Sequence, residues 1–162
     1  MLELIARPLT HEAFATFGDV IDSRGSASFP INAGRTQRHH DLASVELLGE
    51  GARPLISLFV SQPVSLPLEI AHLERHPLGS QAFMPLHEER FLIVVAPPGD
   101  VIDSGQVCAF VTDGRQGVNY HAGTWHAVQS VLEHEGEFLV VDRGGPGNNC
   151  DEQDLQVRVS LS

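Results

Sequence analysis

Lysine is missing from this chain: all ten of its basic residues are arginine. A Schiff base between a carbonyl substrate and a side-chain amine is therefore excluded, with only the α-amino group left to form one. A Walker-type phosphate loop is excluded too, because it needs its lysine. An anion in the site must be held by Arg, His, backbone N–H groups or a metal. Cysteine is scarce: Cys108 and Cys150 are too few for a disulfide scaffold. The longest apolar run, FLIVVAPP over residues 91–98, is too short to span a bilayer. No basic segment followed by an apolar stretch opens the chain, so no signal peptide is expected. Positive charge is also in deficit, with 10 basic against 21 acidic residues and a net charge of −11 with His neutral. That balance argues against nucleic acid, whose phosphates attract basic faces, and against an anionic membrane surface. A soluble cytoplasmic protein is the expectation.

The 162 residues fit one domain, 1–162, with a single core, and 42% hydrophobic content is enough to fill it. Fifteen Gly and ten Pro imply many turns and favour an all-β chain over a helical bundle. Thr10 as N-cap, Glu12 in the first turn and Gly18 as a stop predict one short helix over about residues 10–17. Afterwards short strands alternate with Gly, Pro, Asp and Asn. The strand candidates are 54–61, 68–76, 81–86, 90–96, 106–112, 118–121, 125–131, 137–143 and 154–161, with weaker ones at 2–8, 19–22 and 38–47. So many short strands with regular turn signals indicate a sandwich or barrel.

The segment 68–76, LEIAHLERH, carries the first chemical signal. Alternate strand side chains share a face, so Leu68, Ile70, His72, Glu74 and His76 should line one side. That face starts apolar and ends ionisable, as expected of a strand whose far end reaches a wet pocket. The bland alternative is a partly exposed strand with surface polar residues. Two His-flanked turns follow the same logic: HPLGSQ at 76–81 and HAGTWH at 121–126, each beside strand-like sequence.

Glu74-Arg75-His76-Pro77-Leu78-Gly79-Ser80-Gln81 resembles the first motif of cupin barrels, which has two alternating His, a turn and a Glu. On that resemblance Glu74 occupies the first His position, His76 the second and Gln81 the Glu position. The HAGTWH turn resembles the second motif, a Pro-x-Gly-x-x-His turn with His121 in place of Pro. The resemblance implies a cupin-like β-barrel of jelly-roll type with one short N-terminal helix, inside which the two turns converge. ERHPLGSQAF, QGVNYHAGTWH, DRGG, INAGRTQRHHDLA and EAFATFGDVI together closely resemble the ureidoglycolate lyase (ureidoglycolate hydrolase) family over nearly the whole chain. That likeness implies (S)-ureidoglycolate as substrate, glyoxylate and urea as products, a place in allantoin breakdown, and a homodimer.

Cleaving ureidoglycolate requires the hydroxyl to lose a proton, the C–N bond to break and the urea nitrogen to gain a proton. An acid and a base suffice without a covalent intermediate, so the absence of Lys does not hinder it. His76 and His126 are the first candidates for proton transfer, because the resemblance aims them inward and imidazole titrates near neutrality. Tyr120 and His121 stand just before the Gly123 turn and could line the mouth. With nine His in the chain most are expected to be structural, and His11, His87 and His134 fall in helix or turn sequence. A planar guanidinium can hold the substrate carboxylate, and Arg38 and Arg143 lie in the family-like segments; surface solvation is the plain alternative for each. Gln81 is a further substrate-binding candidate. Glu74, His76, Gln81 and His126 also offer mixed N and O donors for a divalent metal. The resemblance allows Ni²⁺, while Gln in place of Glu weakens the set and leaves a metal-free pocket open.

DRGGPGNNCD at 142–151 is Gly-rich but has neither a following helix pattern nor a Lys, so it reads as a structured barrel-rim loop. No base is placed beside Cys150 by sequence, and a buried or inert thiol is expected there. Three other functions compete: an amidohydrolase on the same substrate releasing ammonia, a non-catalytic cupin binding a small carboxylate, and a metal-dependent cupin oxygenase or isomerase.

Overall fold

The computed structural model describes residues 1–162. Its strands are β1 (Leu2–Pro8), β2 (Gly18–Ile21), β3 (Phe29–Ile31), β4 (Thr36–Arg38), β5 (Arg53–Ser61), β6 (Leu68–Arg75) and β7 (Gln81–Pro85), followed by β8 (Phe91–Ala96), β9 (Cys108–Val111), β10 (Gly117–Tyr120), β11 (Trp125–His126), β12 (Ser130–Val131), β13 (Gly136–Gly144) and β14 (Asp151–Leu161). One α-helix, α1 (His11–Phe14), precedes β2. No helix is long and apolar enough to cross a membrane.

Six strands in the order β11-β6-β14-β1-β9-β8 form a ring that closes where β11 pairs with β8. Closure leaves no open edge among them. Ala6, Leu73, Val94, Ala109, Trp125 and Val157, one from each strand of the ring, belong to a single buried cluster. A second sheet, β2-β10-β7-β13-β5, packs against the outside of this ring. Strand β8 serves both layers. All six of its residues are buried: Leu92, Val94 and Ala96 face the ring cluster, while Phe91, Ile93 and Val95 face the second sheet. The run FLIVVA is continuous rather than alternating because both of its faces are covered.

The all-β reading and the barrel hold, with differences in detail. The helix is a single turn. Thr10 caps it, its side chain accepting from Ala13 N–H, and Phe14 anchors it against Phe110 and Tyr120. The chain then turns directly into β2, because Gly18 must lie against Asn119 O; an added Cβ would sit 2.0 Å from that oxygen. The 125–131 candidate divides into β11 and β12. The 38–47 candidate is strand only up to Arg38, and β3, paired with β4, was not read from sequence.

The expected single face of 68–76 is also interrupted. Leu68 and Ile70 pack on the same cluster as Leu73, so the two faces of β6 exchange between Ile70 and Leu73. The cause is the register shift against β14 between Asp154 and Val157. His72 is consequently exposed, while Glu74 points to the side opposite Leu73.

Phe110 joins the layers: it is fully buried, 5.7 Å from Phe14 and 6.1 Å from Phe17 between ring centres, with the Arg7 guanidinium 4.8 Å above it. Phe110→Ala should cost about 3–5 kcal/mol, the usual range for emptying such a site. Guanidinium denaturation measures it, and a loss under about 1 kcal/mol would show that the layers are not joined there.

Candidate active site

Both His-flanked turns lie at the same end of the molecule and are hydrogen-bonded to each other, Gly123 N–H donating to His76 O at 2.8 Å. Gly123 has φ +81°, a conformation that favours glycine. After this turn β11 lies between β6 and β8, with His126 directly opposite Glu74. Trp125 points into the ring, so alternation sends His126 out towards the second sheet, where its ring stacks on Tyr120 at 4.4 Å and 2°. His76 completes the group, 5.2 Å from His126 between ring centres. The site thus lies between the ring wall and the second sheet, and the ring's interior is apolar.

The hydrogen bonds define what each imidazole offers. His76 Nδ1 meets Asn149 O at 2.7 Å and His126 Nδ1 meets Ala127 O at 3.0 Å. A carbonyl oxygen can only accept, so both Nδ1 atoms carry the proton and both Nε2 atoms present a lone pair. Both Nε2 atoms are buried and have no partner. Glu74 Oε1 stands 3.9 Å from His76 Nε2 and 4.0 Å from His126 Nδ1. Ligand atoms of Glu74, His76 and His126 all lie within 4.8 Å of one another. Imidazoles whose other N–H is tied to a carbonyl, beside a carboxylate, are suited to a divalent ion. His126 is 2% exposed, while the side chains of His76 and Glu74 are 18% and 23% exposed, so the group opens on their side.

Burial sets the protonation of the deeper groups. It lowers the His126 pKa to about 3, helped by His76 nearby and opposed by the hydrogen bond to Ala127. Burial, reinforced by the negative charge of Glu74, raises the Tyr120 phenol above its ordinary value and keeps it protonated. Cys150 is exposed rather than buried, but its thiol pKa is raised by partial desolvation and by Glu74, Glu152 and Asp151, in keeping with an inert thiol.

The other expected residues are placed as follows. Gln81 opens β7 opposite Tyr120; directly opposed residues share a face, so it shares the face that meets His126. His121 points the other way, its Nε2 3.1 Å from Asp19 Oδ2, in a depression of about 260 Å³ also lined by Asp41, Ser44 and Glu46. The Arg38 side chain is exposed on β4 and makes no hydrogen bond or ion pair. Arg143 is buried and donates to Leu48 O and Pro146 O, clamping two loops rather than touching the trio.

Three participants were not legible in the sequence. Asn149 holds the first turn through His76 and through Leu78 N–H, which donates to its side chain at 2.7 Å. Glu46 bridges the two turns: its carboxylate accepts from Ala122 N–H at 2.7 Å, and its backbone pairs with Ser80. Asp142 accepts from the Gln81 amide at 3.2 Å. These partners lie 61 to 76 residues apart in the chain, except Glu46–Ser80 at 34.

With this geometry in place, the chain can be compared with known proteins. The family model described as ureidoglycolate lyase matches residues 1–162. A protein of Burkholderia mallei (strain NCTC 10229) named ureidoglycolate lyase is 53% identical over 155 residues, 96% of this chain and 91% of its own. One of Pseudomonas fluorescens (strain Pf0-1) with the same name is 57% identical over 152 residues, 94% and 91% of the two chains. One of Pseudomonas paraeruginosa (strain DSM 24068 / PA7), again so named, is 56% identical over 152 residues, 94% and 90%.

The His126 shift has a stability consequence. As pH falls from the ordinary histidine value near 6.5 to about 3, the unfolded chain binds a proton that the native state does not. Native stability is therefore unaffected by this group above that window and falls within it, by about 1.4 kcal/mol per pH unit. Guanidinium denaturation of chelator-treated protein across that range should show the slope, and His126→Gln should make it shallower. An unchanged slope in the variant would mean that His126 protonates normally.

Proposed function

The chain belongs to the ureidoglycolate lyase family, and from that premise we propose that it cleaves (S)-ureidoglycolate to glyoxylate and urea, at the seam between its two layers. The observation that carries this reading is the pair of buried, unpartnered Nε2 lone pairs beside a protonated phenol. The reaction moves one proton from the substrate's hydroxyl oxygen to the urea nitrogen as the C–N bond breaks, and acceptors with a fixed donor suit it.

His76 Nε2 is the atom we assign to take the hydroxyl proton and return it to the departing nitrogen. The Glu74 carboxylate 3.9 Å away stabilises the imidazolium formed in between. His126 stays neutral and orients the hydroxyl by its lone pair. Tyr120, held flat against His126, keeps its proton and donates a hydrogen bond. Being buried, both act in a medium that strengthens each interaction.

A second reading is favoured by the donor set itself. Glu74, His76 and His126 fit a divalent first-row metal, Ni²⁺ among them. Bound there, such an ion would polarise the substrate hydroxyl and lower its pKa. Urea release that survives chelation assigns the hydroxyl proton to His76. Release lost on chelation and restored by Ni²⁺ assigns the trio to the metal. Ammonia in place of urea would instead identify an amidohydrolase. The two free cysteines suit the reducing cytoplasm inferred as the location.

Under either reading His76→Ala should lower the rate of urea release by about two to four orders of magnitude, the range for a lost acid–base group. A folded His76→Ala protein with native turnover would remove the site.

A homodimer is part of the same proposal. Strand β5 is the outer strand of its sheet, and Ile56, Leu58 and Val60 on it are 77%, 57% and 59% exposed. Between Arg53 and Ser61 it carries no charge to discourage pairing with another chain. Light scattering should find a dimer at micromolar concentration and a monomer for Leu58→Glu; a native monomer would overturn this part.

A further inference from the structure

The Gln81 side chain is oriented by chemistry rather than by packing alone. Its Nε2 lies 3.2 Å from Asp142 Oδ2. An ionised carboxylate only accepts, so the amide nitrogen must face Asp142 and the amide oxygen must face away. That oxygen, Oε1, is buried without any hydrogen-bond partner, on a residue only 7% exposed. A buried acceptor left unpaired is costly, and its presence points to a donor that arrives with a ligand.

The surrounding register shows where that donor would sit. Gln81 pairs with Tyr120 on β10. On its other side β7 runs beside β13, with Val140 opposite Phe83 and Val141 opposite Ala82. Asp142 therefore follows Val140 on the inner face of β13, next to Gln81. Asp142, Gln81 and Tyr120 form a row across the inner face, and Tyr120 stacks on His126. The unpaired oxygen thus belongs to the same seam as the two unpaired imidazole nitrogens.

We propose that Asp142 is a positioning residue for substrate selection: it fixes the Gln81 amide so that its carbonyl oxygen accepts an N–H of the ureido group. The proposal rests on the lyase reading above and deepens it. The substrate's ureido end carries the N–H donors, whereas the one donor at the glyoxylate end is the hydroxyl, which the imidazole lone pairs take, so Gln81 is left to read the ureido end. With Asp142 ionised, the amide cannot present its nitrogen to the site, and a ligand offering only acceptors there leaves Oε1 unpaired.

Asp142→Asn tests this, because asparagine can accept or donate and no longer dictates which end of Gln81 faces inward. KM for ureidoglycolate should rise about three- to tenfold, the value of one hydrogen bond, with kcat nearly unchanged. Calorimetry with urea alone should show the same weakening, and with oxalate, which offers only acceptors, none. Gln81→Met, which removes the acceptor while keeping the shape, should lose urea affinity by at least as much and decides the matter if Asp142→Asn does not fold. Unchanged urea affinity in both variants overturns the proposal, as does equal weakening for urea and oxalate. Loss of Ni²⁺ affinity in Asp142→Asn, measured by titrating the metal alone, also overturns it, because Gln81 would then be serving a metal. A native protein that binds urea in this pattern yet does not turn over ureidoglycolate would sink the lyase reading and leave the role of Asp142 standing.

Discussion

An imidazole that gives its Nδ1 proton to a backbone carbonyl has only a lone pair left to offer at Nε2. Two such imidazoles side by side, both with a buried Nε2, are the constraint on which this site depends. Each carbonyl comes from a different part of the chain, Asn149 for His76 and Ala127 for His126. The first turn must therefore be held to a loop 73 residues away before its lone pair can be aimed, whereas His126 uses the carbonyl of its own neighbour. Gly123 donating to His76 O, and Glu46 bridging Ala122 and Ser80, supply that restraint. Without it each ring could turn and satisfy its own nitrogens, and the site would lose its acceptors.

The constraint works because the site lies on a seam between two apolar clusters. Trp125 fills the ring and its neighbour His126 reaches the second layer, a division made by strand alternation alone. A slip of one residue would exchange them, placing an imidazole inside the apolar ring and an indole against Tyr120. The same alternation on β6 would have failed if its faces ran unbroken from Leu68. The register shift against β14 lets Leu68, Ile70 and Leu73 all pack on the ring cluster while Glu74 reaches the site. The irregularity thus lets a strand with apolar residues at both parities serve a polar site at one end.

Local patterns made much of this legible in the sequence. FLIVVA is apolar at every position because both faces are covered, whereas β7 and the first half of β13 alternate in the way half-covered strands do. The two His turns could be found because each concentrates Gly, His and a strand edge within six residues. The helix was overextended because its N-cap was readable and its end was not: the chain leaves α1 to bring Gly18 against Asn119, a contact about a hundred residues away. Asn149, Glu46 and Asp142 escaped for the same reason. An asparagine in a Gly-rich loop or a glutamate between apolar residues has no local mark of its partner. Arg143 shows the converse, a residue in a distinctive segment whose guanidinium holds Leu48 O and Pro146 O.

Charge raises a final question. The ligand is an anion and the site already holds Glu74, with Asp142 beside Gln81, in a chain of net charge −11. Two like charges about 4 Å apart repel by about 4 kcal/mol at an effective dielectric near 20, so positive charge must reside near the substrate carboxylate. His126 cannot supply it, since burial keeps that ring neutral down to about pH 3. Two sources remain within the trio: a proton on His76, or a divalent ion on the lone pairs. A His76 already protonated cannot also accept the hydroxyl proton. The His76 reading therefore requires the carboxylate's counter-charge to come from outside the trio. The metal reading places charge and activation at one point. The two readings thus differ first in where the anion is held, and only then in how the C–N bond breaks.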